Sequence, residues 1–399
     1  MVRWKCRFED VRGVAVLSIG LSLTCLLVSC GGGSGTQTGD GSGSHSGGTA
    51  AASGEYLWEL GSQQNLVYAT INTTTGAISS PVKTNAGPAN DPADYPSIAV
   101  DASGENLYAL NTNISELNSF ELLGPGLQPF KTSTTGGLNL EQSLSMHPSG
   151  KFLYVELSGS MATIEELVLV ASSNGVLSAG GKVTEDADLR MTVIDPSGHF
   201  LFANDLTRGR IFAYQINQTS GALTPVANSP FTLPAGHLPT YLVIGVSANA
   251  HFLYANLSSG GVAAFSIDNS TGALTEVVSS PFLANDSFSS ISADPSGRFL
   301  YGSNFSSHSV YGALIDPNTG ELGAMPGSPL VLPGAAGVLA IDPAGKFLYV
   351  ESLITTSSGS TNQIYGFSLD STTGMLTALA GSPFPSVPYP VSFVTTRIP

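Results

Sequence analysis

Charge is scarce in this 399-residue chain. Asp, Glu, Lys and Arg together make up 11%, with 14 basic residues against 29 acidic ones. Amphipathic helices need a charged outer face, so this composition is poor material for them. With 46 Gly and 24 Pro, and polarity carried by Ser, Thr and Asn, it suits short strands joined by tight turns. Cysteine is also scarce: Cys6, Cys25 and Cys30 are the only three. Any domain after residue 30 therefore holds no disulfide, no thiol nucleophile and no Cys-ligated zinc or iron–sulfur centre. The six histidines fall at 45, 147, 199, 237, 251 and 308, and no cluster of them has metal-ligand spacing, so neither a metal nor a cofactor is expected.

Long apolar runs are missing too. Val14–Val28 is uncharged, but it is too short to span a bilayer. It follows a basic head of Arg3, Lys5, Arg7 and Arg12 and ends in Leu-Val-Ser-Cys, Leu27 to Cys30. This order resembles the signal peptide and lipobox of bacterial lipoproteins, which implies removal of residues 1–29, acylation of Cys30 and a cell-envelope location. Residues 30–54 are a lipidated Cys and a Gly/Ser-rich tether with too little apolar surface to offset the entropy of ordering. His45 is a polar residue of that tether. Cleavage would remove four basic and two acidic groups, leaving ten against 27, a net charge of −17. So acidic a surface is repelled by phosphate backbones and anionic headgroups. Nucleic acid is therefore excluded as a partner, membrane contact is expected through the Cys30 lipid alone, and a monomer is expected.

The rest of the chain repeats itself. Asp-Pro-Ser-Gly-Arg-Phe-Leu-Tyr from Asp294 has near copies from Asp101, His147, Asp195, Ser247 and Asp342. Gly104, Gly150, Gly198, Ala250, Gly297 and Gly345 mark the copies, at steps of 46, 48, 52, 47 and 48. A degenerate copy at Gly54, 50 residues earlier, makes seven. Such periods, with several short strands in each, belong to propeller blades. Asp-Pro-Ser-Gly is a type I turn sequence that links an inner strand to the Phe-Leu-Tyr strand. A second motif, as in Ile-Asp-Asn-Ser-Thr-Gly from Ile267, predicts a hairpin between the third and fourth strands, turned at Gly76, Gly221, Gly272, Gly320 and Gly374. Ser-Pro-Phe then closes each unit on an edge, where Pro is tolerated. The fold class expected is all-β: a seven-bladed propeller of four-stranded antiparallel blades over residues 55–399. Tyr389–Thr396 resembles the inner strand of a blade and the first blade lacks one, so the C-terminal strand is expected to complete the N-terminal blade. Trp4 and Trp58 are the only tryptophans and neither precedes Asp, which argues against WD-type blades.

These motifs, above all Pro196–Thr224 with Asp205 and Leu206, resemble the lactonase-like seven-bladed propellers, the group of 6-phosphogluconolactonase and the carboxymuconate-cyclising enzymes. The resemblance implies a site on one channel mouth, at the start of each inner strand and the end of the next. Counting back six residues from each turn Pro or its equivalent puts Pro96, Gln142, Arg190, Leu242, Ser289, Gly337 and Pro390 in the inner ring. Arg190 stands where a family Arg or His would, but Met191 replaces the His that should follow, and Asn256 stands where a Glu is expected.

The catalytic candidates are Arg190 as anion or oxyanion group, Glu156 or Asp205 as base, and His237 from a nearby loop. The ligand-binding candidates are Gln142, Asn204, Asn256, Asn304 and Glu351. Three readings of function follow. The leading one is a lipid-anchored envelope propeller that binds a small molecule, glycan or envelope protein at one mouth. The second is a lactone hydrolase centred on Arg190, and the third is a structural surface scaffold. Whether the chain is an enzyme stays open at this point.

Overall fold

The computed structural model describes residues 54–398 apart from 62–64, 84–96, 102–103, 105, 112–115, 122–127, 134–140, 158–161, 170–176, 248–249 and 388–389. Cys30, the leader and the tether lie outside the described residues, as does Pro96. The described strands form seven antiparallel sheets. From the channel outward, the fourth sheet runs Leu189–Ile194, Phe200–Asp205, Arg210–Ile216 and Leu223–Pro225, with Phe231–Thr232 also pairing the third strand. The other sheets follow the same plan. In the first, the strands Gly54–Gly61, Asn65–Ile71 and Val82–Lys83 are joined on the inside by Pro390–Ile398. Trp58 stands opposite Val394 in that pairing, and the indole Nε1 donates to Thr396 Oγ1 at 2.8 Å.

Two-residue periodicity explains the packing. In Phe-Leu-Tyr strands the Phe and Tyr face the next sheet and the Leu faces the previous one. Thus Phe152 and Tyr154 pack with Leu201 and Ala203 of the fourth sheet, while Leu153 and Val155 pack with Tyr108 and Leu117 of the second. Seven hydrophobic clusters arise in this way, one between each pair of neighbouring sheets, including Leu57 and Ala69 of the first against Phe347 and Tyr349 of the seventh.

The Tyr hydroxyl adds a polar tie. Tyr154, Tyr254, Tyr301 and Tyr349 donate to the carbonyls of Gly221, Gly320, Gly374 and Gly76, each in the next sheet's outer hairpin, at 2.6–3.0 Å. A buried hydroxyl left without a partner would cost about 1–3 kcal/mol, so the hairpin carbonyl is part of the packing. Gly320 shows why the turn needs glycine. Its φ is +76°, and a Cβ there would stand 2.4 Å from the Phe252 ring.

The repeated turns form as their sequences direct. The Gly198 and Gly297 amides donate to the carbonyls of Asp195 and Asp294 at 2.8 Å, and each Asp carboxylate also accepts from the amide of the Phe that opens the next strand, at 2.7 Å. His147 takes the Asp place in its blade, with Nε2 2.8 Å from the Gly198 carbonyl. The Ser that precedes Pro in the closing segment binds the interior of the third strand: Ser229, Ser328 and Ser382 accept from the amides of Ala213, Gly312 and Gly366 at 2.9–3.0 Å.

Candidate functional site

The mouth at the start of the inner strands is shaped by bulges. Register breaks fall between Glu141 and Ser143, Leu189 and Thr192, Pro239 and Tyr241, and Ala336 and Leu339. An unpaired residue at a bulge is re-aimed out of the ladder, and bulges gather near functional sites for that reason. Arg190 sits at the bulge of the fourth sheet, where it is exposed. Gln142 sits at that of the third, with its side chain outside the described residues. In the fifth sheet, counting from the turn points to Leu242, but the register corrects this. Leu242 is buried opposite Ala255, as Thr192 is opposite Ala203, and Thr240 takes the bulge and donates to the Asn256 carbonyl at 3.2 Å.

One position recurs just below the rim, four residues after the strand-opening Phe: Glu156, Asn204, Asn256, Ser303 and Glu351. All five are buried. Asn204 Nδ2 donates to the Pro239 carbonyl at 2.7 Å, Asn256 Nδ2 to the Phe288 carbonyl at 2.8 Å, and Ser303 Oγ to the Gly337 carbonyl, each on the next sheet. These three side chains therefore tie blades together rather than face the channel. A glutamate can be a donor at this place only when protonated. Both Glu156 oxygens are buried without a hydrogen-bond partner, and burial pushes its carboxyl up to about 9, against the pull of Arg190 and with the push of Asp188. Glu351 is pushed up to about 7 by burial, although Asn362 donates to it; Glu59, across the seam in the first sheet, pushes it further. Glu351 therefore belongs to a second locus, away from Arg190. Asn304 lies one residue past the recurrent position, and its Oδ1 caps a turn by accepting from the Ser306 and Ser307 amides at 3.0 Å. Ser303 is the residue that matches Asn204.

Asp205 is no free base. Its carboxylate is fully buried and takes Nε and Nη2 of Arg210 at 2.9 and 2.5 Å, together with the amides of Asp188, Thr207 and Arg208 and the Thr207 hydroxyl. Burial works to raise its pKa, but these donors win and hold it below the usual carboxylate range. A carboxylate so fully engaged has no lone pair left to activate water. His237 does not join the group either. Its amide donates to the Pro234 carbonyl at 3.0 Å, its own carbonyl lies against Gly209, and Nδ1 is buried without a partner.

What the structure does bring together is Glu156, Arg190 and a residue not singled out from sequence, Asp188. Arg190 Nε lies 3.0 Å from Asp188 Oδ1, and Nη2 donates to Oδ2 at 3.2 Å. A signal for this pair was present, since residues two apart at a strand start share a face. Arg208 and Arg210 are also taken, by Asp186 and Asp205. No group of three or more potential metal ligands occurs among the described residues. A small cavity of about 100 Å³, lined by Tyr301, Met325, Leu330 and Met375 among others, includes none of the candidate residues.

Against known proteins, 94 residues of the chain are 32% identical to the 6-phosphogluconolactonase of Serratia proteamaculans, covering 24% of this chain and 28% of that protein. The solved structure of a putative 6-phosphogluconolactonase from Bacteroides fragilis superposes with a TM-score of 0.66 at 21% identity, covering 86% of this chain and 98% of that one. The periplasmic gluconolactonase of Pseudomonas aeruginosa gives 0.66 at 18%, covering 86% and all of that chain. At these identities the structures speak for the fold alone. The family described as "Lactonase, 7-bladed beta-propeller" matches residues 54–395, which is the whole repeat array with its recurrent turns and Tyr ties, and the chain belongs to that family.

Proposed function

We propose that this protein is an envelope propeller that binds a small, uncharged, hydroxyl-rich ring, of the sugar-lactone class, at the mouth marked by Arg190. The observation that carries this reading is charge compensation: each of the three arginines of the fourth sheet already has a carboxylate partner. A phosphorylated ligand needs free cations, and the rim offers it compensated ones. A neutral ring meets the polar edge of the Arg190–Asp188 pair without unbalanced charge. The basic head, apolar run and Leu27–Cys30 segment support a lipid anchor on Cys30, and the pairing of Pro390–Ile398 with Gly54–Gly61 supports a ring latched by its C-terminal strand.

Hydrolysis of the bound lactone is the second reading, and Glu156 favours it. A carboxyl kept protonated beside a guanidinium is a proton donor next to an oxyanion group, the pair that ring opening calls for. The experiment is a titration of the purified protein with glucono-δ-lactone and with 6-phosphogluconolactone, following heat of binding and proton release. Saturable binding of the neutral lactone and none of the phosphorylated one is expected. Proton release that saturates with the neutral lactone and is lost in Arg190→Ala establishes the second reading. Preference for the phosphorylated lactone contradicts the proposal.

A further inference from the structure

We propose that Asp188 is the specificity-determining residue of this mouth: by holding the Arg190 guanidinium at two points it cancels the positive charge that would otherwise select an anionic ligand. This rests on the neutral-ligand reading above and names the residue responsible for it.

Three observations carry the proposal. The first is the ion pair itself. Arg190 Nε and Nη2 address the two Asp188 oxygens separately, at 3.0 and 3.2 Å, the forked geometry that a guanidinium would otherwise offer to a phosphate. Asp188 therefore occupies one of the two forked edges that the guanidinium can offer an anion.

Second, Asp188 is held from behind. Its amide donates to Asp205 Oδ1 at 3.2 Å, and its carbonyl accepts from the Leu206 amide at 3.0 Å. Asp205 is in turn fixed by Arg210. The buried Asp205–Arg210 pair thus acts as a positioning device: it sets the backbone that carries Asp188, and Asp188 sets the guanidinium. This gives Asp205, a fully engaged carboxylate, a role in the site without contact with ligand.

Third, neither neighbouring arginine takes over. Arg208 reaches back to Asp186 through both the side chain and the carbonyl. Arg210 also donates to the Asp186 carbonyl, at 2.9 Å. Glu156, whose carboxyl feels both Arg190 and Asp188, adds no compensating charge of either sign while protonated.

Removing the Asp188 charge should therefore turn the mouth into an anion site. The expected gain in anion affinity is about tenfold, which is about 1.4 kcal/mol. The test uses inorganic phosphate as probe and compares the wild-type protein, Asp188→Asn, Asp188→Ser and the double variant Asp188→Asn/Arg190→Ala, each checked for an unchanged melt. Phosphate binding about tenfold tighter or more in both single variants, weakening with salt and lost in the double variant, is the expected result. Phosphate binding no tighter in the single variants than in wild type overturns the proposal, as does a gain that survives loss of Arg190. Because the probe is phosphate, this outcome is separate from whether the wild type binds a neutral lactone: a mouth that took no lactone would still show or lack the gain. Should one variant fail to fold, the other still decides.

Discussion

The rim of the fourth sheet and the seam between the seventh and first sheets each hold buried carboxyls, and they solve the problem of burial in opposite ways. In the fourth sheet Asp205 has Arg210 and a set of amides and stays ionised. At the seam Glu351 faces Glu59 with no cation among the groups that act on either. Glu351 accepts from Asn362, and Glu59 accepts from the Ser386 hydroxyl at 2.7 Å and the Val387 amide at 3.1 Å. Burial raises both. At the other end of the same seam burial raises Glu55 as well, and Asp342 pushes in the same direction, while Arg397 and Lys346 oppose it. Buried carboxyls close to one another in the repeat thus differ in their partners, a guanidinium for Asp205 and a side-chain amide for Glu351, and the partner decides whether the residue is a charge or an acid. Glu156 lies between the two cases: it has an arginine nearby, but Asp188 has claimed it.

The difference predicts what holds each region. The seam depends on strand pairing and on the cluster of Leu57, Phe347 and Tyr349, since Glu351 and Glu59 have no cation acting on them. Deleting residues 390–399 should therefore have the largest effect, exposing the edge of Gly54–Gly61. Loss of the cooperative melt and aggregation on size exclusion are expected. A monomer with an unchanged melting temperature would mean that the first sheet holds without its inner strand.

The next largest effect belongs to the compensated region. Arg210→Ala strands a buried carboxylate and should destabilise by about 3–5 kcal/mol in urea melts. Arg190→Ala breaks an exposed pair and should cost less than about 1 kcal/mol. Equal losses in the two variants would remove the distinction between a structural and a functional arginine.

A smaller effect than that of Arg210→Ala is a pH dependence. Glu351 is raised from 4.5 to about 7, so the folded protein binds more protons than the unfolded chain between those values. The stability contributed is whole below about 4.5 and is lost as pH rises through 7, on the order of 1–3 kcal/mol. Glu351→Gln should flatten that part of the melting-temperature profile. A wild-type profile already flat between these values would mean that Glu351 is ionised in the fold.

Much of this architecture is legible in the sequence because turns and strand periods are local. Asp195-Pro-Ser-Gly198 and the Ile267–Gly272 hairpin announce themselves, and the Phe-Leu-Tyr alternation marks which face is buried. The site is less legible because it depends on register between strands. A count from the turn lands on Leu242, whereas pairing with Ala255 puts Thr240 at the bulge. The same sensitivity to a single residue separates Asn304, a turn cap, from Ser303, a tie between blades. Glu156 and Arg190 were visible as candidates. Their relation was not, since Asp188 looks like an ordinary turn residue until its carboxylate is seen on the guanidinium.

The central claim is that partnering alone decides which of these look-alike positions is charged at the mouth. The most direct measurement is a titration of the glutamate side-chain carboxyls by ¹³C NMR in the wild type and in Glu156→Gln. A resonance that titrates near 9 and vanishes in the variant is the predicted result. If the resonance lost in Glu156→Gln instead titrates in the ordinary glutamate range, about 4.3, Glu156 is an anion under Arg190 and the account of a neutral mouth fails.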